Sequence, residues 1–126
     1  RTGFGNVAIT GLAGLALMAG GHQPGRGRYG AQVARAVDYV VARGNDGPRR
    51  GYLQTPDGGP GHGAMYQHGF GALFLAEAHG MMPDPRKQRQ LRDTLEQAVE
   101  LTRTSQNREG GWRYDPAPMN ADVSVT

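Results

Sequence analysis

His62, Tyr66 and His68 stand close together in a 126-residue chain, beside Gly59, Gly61 and Gly63. An imidazole changes charge near neutral pH, so it can act as a general acid or base or as a metal ligand. A spacing of six does not put two imidazoles on one helical face as a spacing of four would. No metal and no cofactor is therefore expected. His68, with Tyr66 beside it, remains a catalytic candidate, and a polar residue that caps or orients the start of a helix is the simpler alternative. Asp122 poses the same choice. Standing before an apolar segment, it is either an acid exposed to a cavity or the cap of a first helical turn, where a carboxylate satisfies free amide groups. Gly58-Gly59-Pro60-Gly61 has the look of a phosphate loop, but no Gly-Lys-Ser/Thr follows it and no strand pattern precedes it, so nucleotide binding is not expected. Met65, Met81 and Met82 read as pliable packing.

The composition bounds the function classes. Hydrophobic residues make up 37% and charged ones 20%, which suits a folded domain. The formal charge of +3 comes almost wholly from arginine, Lys87 being the only lysine. Those arginines are interleaved with Asp and Glu, so no nucleic-acid partner is expected. There is no cysteine, which excludes disulfides, thiolate metal sites and a cysteine nucleophile. The longest uncharged apolar stretch, residues 7–21, falls short of the roughly 20 residues that span a bilayer. It has no basic leader beyond Arg1, so neither a membrane span nor a signal peptide is expected. Peripheral contact with a membrane stays open, as does the compartment.

These candidates need elements to position them, and a repeat supplies the elements. Thr10-Gly11-Leu12 and His68-Gly69-Phe70 open two apolar runs 58 residues apart. The same offset aligns Val33, Val37, Val40 and Val41 with Leu91, Leu95, Ala98 and Val99, both sets at helical spacing. A further step of 58 from His68 reaches Thr126, where Val123-Ser124-Val125-Thr126 echoes Val7-Ala8-Ile9-Thr10. The chain thus divides into repeat one at about 6–63, repeat two at about 64–121 and the start of a third at 122–126. In each repeat the first helix is apolar nearly all round, as a helix covered on every side would be, and the second is amphipathic. Pro24 with its glycines and Pro83-Asp84-Pro85 break the chain between them. An all-α fold follows: αα-hairpins with alternating apolar inner and amphipathic outer helices, which stack into a solenoid or close into a toroid. Two hairpins leave inner faces uncovered, so neighbouring repeats or self-association are expected. The chain also begins without a methionine and stops as a third repeat opens, so it reads as a piece of a longer protein.

After the second outer helix comes Ser105-Gln106-Asn107-Arg108-Glu109-Gly110-Gly111-Trp112. Here a helix is expected to end at glycine, with Trp112 folding back and the Gln106 amide meeting exposed carbonyls or the indole's surroundings. Repeat one holds a degenerate form ending in Gly51-Tyr52. Gln106-x-x-x-Gly110-x-Trp112 resembles the QW motif of the squalene–hopene cyclase and oxidosqualene cyclase superfamily. Asp122-x-Ser124-x-Thr126 is similar to the start of the next inner helix in those proteins. The segment Ala64-Met65-Tyr66-Gln67-His68-Gly69-Phe70 resembles inner-helix starts in bacterial prenyltransferase and squalene oxidase repeat proteins. The resemblance implies an αα-toroid whose inner helices line a cavity for an isoprenoid chain. It gives Gln106, Gly110 and Trp112 a structural role as the staple of the outer helices, and Gly51 and Tyr52 a weaker version of it.

The resemblance has gaps. Terpene cyclases of this type carry an Asp-x-Asp-Asp acid motif that this sequence lacks. The zinc site of protein prenyltransferases needs a cysteine. The expectation is therefore a segment of a terpene-cyclase- or prenyltransferase-like toroid binding an apolar, isoprenoid-type molecule, with its catalytic status open. The alternatives are a non-catalytic αα-repeat scaffold for protein interaction, or a polysaccharide-cleaving toroid with Arg113 or Asp115 facing the cavity.

Overall fold

The computed structural model describes residues 5–47, 49–55, 63–118 and 120–126. Among these the chain is all-α, with four helices and no strand: α1 (Val7–Ala19), α2 (Gly30–Asp46), α3 (Ala64–Ala78) and α4 (Pro85–Ser105). His62 and the Gly58-Gly59-Pro60-Gly61 segment lie outside the described residues.

Local chemistry sets the helix starts. The Asn6 side chain accepts from the Ile9 amide at 3.1 Å and caps α1. Asp84 caps α4 by accepting from the Arg86 amide at 2.9 Å, and Pro85 fills the first helical position, where its missing N–H costs nothing. Between α1 and α2 the backbones of Gln23 and Arg26 bond each other reciprocally, and Gly25 and Gly27 adopt positive φ to close the loop.

The helices form two layers. α1 packs most extensively against α3, and α2 against α1. The pair α1 and α3 runs parallel, since Val7 lies against Gly71, and Gly11 and Gly14 against Phe74. α2 and α4 are likewise parallel, joined from Asp38 to Lys87 at 2.8 Å and from Asn45 to Thr94 at 3.3 Å. One core draws on all four helices: Val7 from α1, Val33, Val37 and Val40 from α2, Phe74, Leu75 and Ala78 from α3, Leu91 and Ala98 from α4, with Leu53 from the connecting segment. A smaller cluster of Tyr52, Met65 and Leu101, with Trp112 and Val125, sits beside it.

Three sequence expectations need correction. α1 and α3 are apolar nearly all round but not covered all round: Ile9 is 66% exposed, Leu12 42%, Phe70 37% and Leu73 49%. Their uncharged surface is packed along one side only. Val99 is 58% exposed and does not join the packed face of α4, because one turn of that face is already supplied by Ala98 and Leu101. Finally, α4 does not end at glycine. It ends at Ser105, Gln106 is the extended cap residue, and Gly110 takes its positive φ in a separate turn four residues on.

Candidate functional site

The first turn of α3 carries Tyr66, Gln67 and His68, and the three side chains go to different places. His68 is buried, 1% exposed. Its Nδ1 accepts from the Leu53 amide at 3.2 Å, while Nε2 meets the Ala98 carbonyl at 3.1 Å and the Thr102 hydroxyl at 2.9 Å. A nitrogen that accepts from an amide cannot hold a proton, so the ring is the neutral Nε2–H tautomer. Burial pushes its pKa from 6.5 down to about 4, against a smaller opposing effect of the Ala98 bond. His68 ties the segment after α2 to α3 and α4.

Gln67 is a second buried polar residue, one that motif and spacing did not single out. Its Oε1 accepts from the Val7 amide at 3.3 Å, the Thr55 amide at 3.1 Å and the Thr55 hydroxyl at 2.8 Å. It thereby satisfies a free amide at the start of α1. The signal available for it was an amide side chain in the first turn of an otherwise apolar helix.

Tyr66 points the other way, to Asp122. The Tyr66 hydroxyl is hydrogen-bonded to Ser124 Oγ. Ser124 Oγ lies 2.5 Å from Asp122 Oδ1, and the Ser124 amide donates to the same oxygen at 2.9 Å. The Tyr114 hydroxyl donates to Asp122 Oδ2 at 2.9 Å. These bonds, led by the Ser124 hydroxyl, lower the Asp122 pKa and keep the carboxylate ionised; the same carboxylate raises that of Tyr114. Tyr66 and Ser124 are 58 residues apart, one repeat, which is the signal by which Ser124 could have been found. Tyr114 had none beyond its place after the turn.

Asp122 also organises a first helical turn. The Val125 and Thr126 amides bond its carbonyl at 3.1 and 3.0 Å, as the Thr10 amide bonds the Asn6 carbonyl at 2.9 Å. Val125 packs against the cluster of Tyr52, Met65 and Leu101.

The Gln106–Trp112 turn closes on itself. Gln106 Nε2 donates to the Gly110 carbonyl at 2.7 Å, and the Asn107 side chain accepts from the Gly111 amide at 2.8 Å. The Trp112 indole N–H donates to the Thr102 carbonyl at 2.8 Å, satisfying one of the carbonyls left open at the end of α4. The Trp112 amide bonds Thr126 Oγ1 at 3.0 Å and its carbonyl accepts from the Asp122 amide at 2.8 Å. The turn therefore holds the 122–126 turn against α4. Its counterpart Gly51, also at positive φ, donates its amide to the Gly44 carbonyl at 2.9 Å, and Tyr52 is buried with no partner for its hydroxyl among the described residues. Arg113 stacks over the Tyr114 ring, 5.5 Å from its centroid, and Asp115 is exposed.

Tyr66 and Asp122 are thus brought together, and His68 is separated from both by its own bonds. A cleft of about 180 Å³ opens between Met65, Gly69, Trp112 and Val125. A groove of about 510 Å³ lies between Arg49-Arg50 and α4, and one of about 600 Å³ between α2 and α4; both are lined mainly by charged and amide side chains. Among the described residues no three His, Asp or Glu side chains are grouped to hold a metal ion, and no helix is long and apolar enough to cross a membrane. No family model, curated protein or solved structure matches the chain.

Proposed function

We propose that the chain is a segment of an αα-hairpin repeat protein, toroid-like in arrangement, whose inner helices α1 and α3 bind an apolar, isoprenoid-type chain. The observation that carries this is the bare apolar row on two adjacent parallel helices, Leu12 on α1 with Phe70 and Leu73 on α3. Apolar side chains left in water cost free energy roughly in proportion to their area, and a contiguous apolar patch marks a binding surface. Leu12 and Phe70 occupy the same place in successive repeats, so the row follows from the repeat itself. Shifting α1 by 58 residues gives 65–77, within the 64–78 of α3, and shifting α2 gives 88–104, within the 85–105 of α4. The capped turn at 122–126 then stands where a third inner helix would begin.

The test is native mass spectrometry of the protein with β-farnesene, an uncharged isoprenoid hydrocarbon. A one-to-one complex is expected, weakened at least tenfold by Leu73→Glu, an exposed position whose change leaves the helical circular dichroism intact. If no complex forms, the ligand reading fails. The non-catalytic scaffold is then preferred, a view that already draws support from the engagement of His68 in purely structural bonds.

A further inference from the structure

The apolar row on α3 has polar ends. Tyr66, Phe70, Leu73 and Glu77 follow one another at helical spacing on a single stripe. Tyr66 and Glu77 are eleven residues apart, about 16 Å along a helix that rises roughly 1.5 Å per residue. A chain lying on Phe70 and Leu73 therefore meets a phenol at one end, and that phenol belongs to a hydrogen-bonded group with Ser124, Asp122 and Tyr114.

The direction of the protons in that group can be worked out. Asp122 is ionised and accepts only. Ser124 Oγ, 2.5 Å from Asp122 Oδ1, must place its single proton between the two oxygens, because two bare oxygens at that distance repel. Its proton thus committed, Ser124 can only accept from Tyr66, so the Tyr66 proton also runs toward Asp122. The Tyr114 proton runs there too. What Tyr66 still presents outward is a lone pair on Oη: an acceptor and not a donor. Arg113 beside Tyr114 is close enough to Asp122 to offset its charge.

We propose that the ligand lying along Leu12, Phe70 and Leu73 ends in an uncharged hydroxyl that donates its proton to Tyr66 Oη, so that the site selects a long-chain isoprenoid alcohol over the corresponding diphosphate. This inference rests on the apolar-chain reading above. A diphosphate carries acceptors and negative charge, and meets an acceptor that it cannot satisfy. Ser124 acts as a positioning residue: by taking the Tyr66 proton it fixes which way the phenol faces the ligand.

Calorimetric titration with all-trans-farnesol, farnesyl diphosphate and β-farnesene tests this. Farnesol is expected to bind about tenfold more tightly than β-farnesene, the worth of one good hydrogen bond, and more tightly than the diphosphate. Tyr66→Phe should bring farnesol down to the level of β-farnesene and leave β-farnesene unchanged. Ser124→Ala should do something a merely structural residue would not. It frees the Tyr66 proton for the ligand and shifts preference toward the diphosphate. Equal affinities for farnesol and β-farnesene, diphosphate binding as tight as farnesol, or no change in Tyr66→Phe would each overturn the head-group assignment while leaving the apolar surface in place. Failure of β-farnesene itself to bind would overturn the underlying reading as well.

Discussion

A histidine beside a tyrosine at the start of an apolar helix looks like chemistry, and in this chain it is joinery. Every polar atom of His68 is engaged, by Leu53 on one side and by Ala98 and Thr102 on the other. A protonated ring would face the Leu53 amide with a second donor, so the fold holds the ring neutral and its pKa falls to about 4. The unfolded chain takes up the proton near the ordinary 6.5, the folded one only near 4. Between those values the unfolded state binds more protons, so stability rises with pH. The contribution is complete above about pH 6.5 and lost as pH falls to about 4, a change of about 3 kcal/mol. Urea midpoints of the native protein should drop across this window. Those of His68→Gln, whose amide can accept from Leu53 and donate to Ala98 without titrating, should drop less. Parallel curves would show that the ring is not the group responsible.

The helices themselves were readable from the sequence because their signals are local. Valines at 33, 37 and 40 fix the packed face of α2, and Pro83-Asp84-Pro85 announces the start of α4. Val99 was misplaced because helical spacing alone gives a face some 100° wide, and the true edge of that face depends on where α3 sits. The same limit hid the use of the glycines in α1. Gly14 is where the Phe74 ring comes to rest: a Cβ there would lie 2.3 Å from its Cε1. Phe74 is fully buried, so it has nowhere to retreat. Gly14→Leu should therefore lower stability by about 1 to 3 kcal/mol, the usual cost of overpacking. Gly69 offers the opposite case, for it lies inside α3 and, beyond its own helix backbone, a Cβ there would meet no atom of the described residues within 4 Å. Gly69→Ala should raise stability by about 0.5 to 1 kcal/mol through helix propensity alone. Chemical denaturation of the two variants decides the matter, and destabilisation by both would mean that the face bearing Gly69 is already occupied.

For the whole molecule the sequence supplied a period, and the structure shows what that period must do to hold together. A stack of hairpins with only nearest-neighbour contacts can unfold piece by piece. Here the hairpins are interlocked. Val7 of α1 donates to Gln67 of α3, the Leu53 amide of repeat one donates to His68 of α3, and a single core takes residues from all four helices. None of these long-range polar links was legible beforehand, because each depends on which loop backbone comes to lie beside the start of α3. The candidate site was legible only in part for the same reason: Tyr66 and Asp122 could be named, but the Ser124 bridge between them exists only once the 122–126 turn is seated by Trp112 and Thr126. Interlocking of this kind predicts one cooperative transition. Helical circular dichroism follows all four helices, whereas fluorescence follows Trp112 in the smaller cluster beside Met65 and Leu101. The two should trace the same urea curve, with a common midpoint and slope. If the tryptophan signal is lost at lower urea than the helical signal, the second hairpin and its turn are an independent unit, and the bonds from α3 to α1 are too weak to couple them.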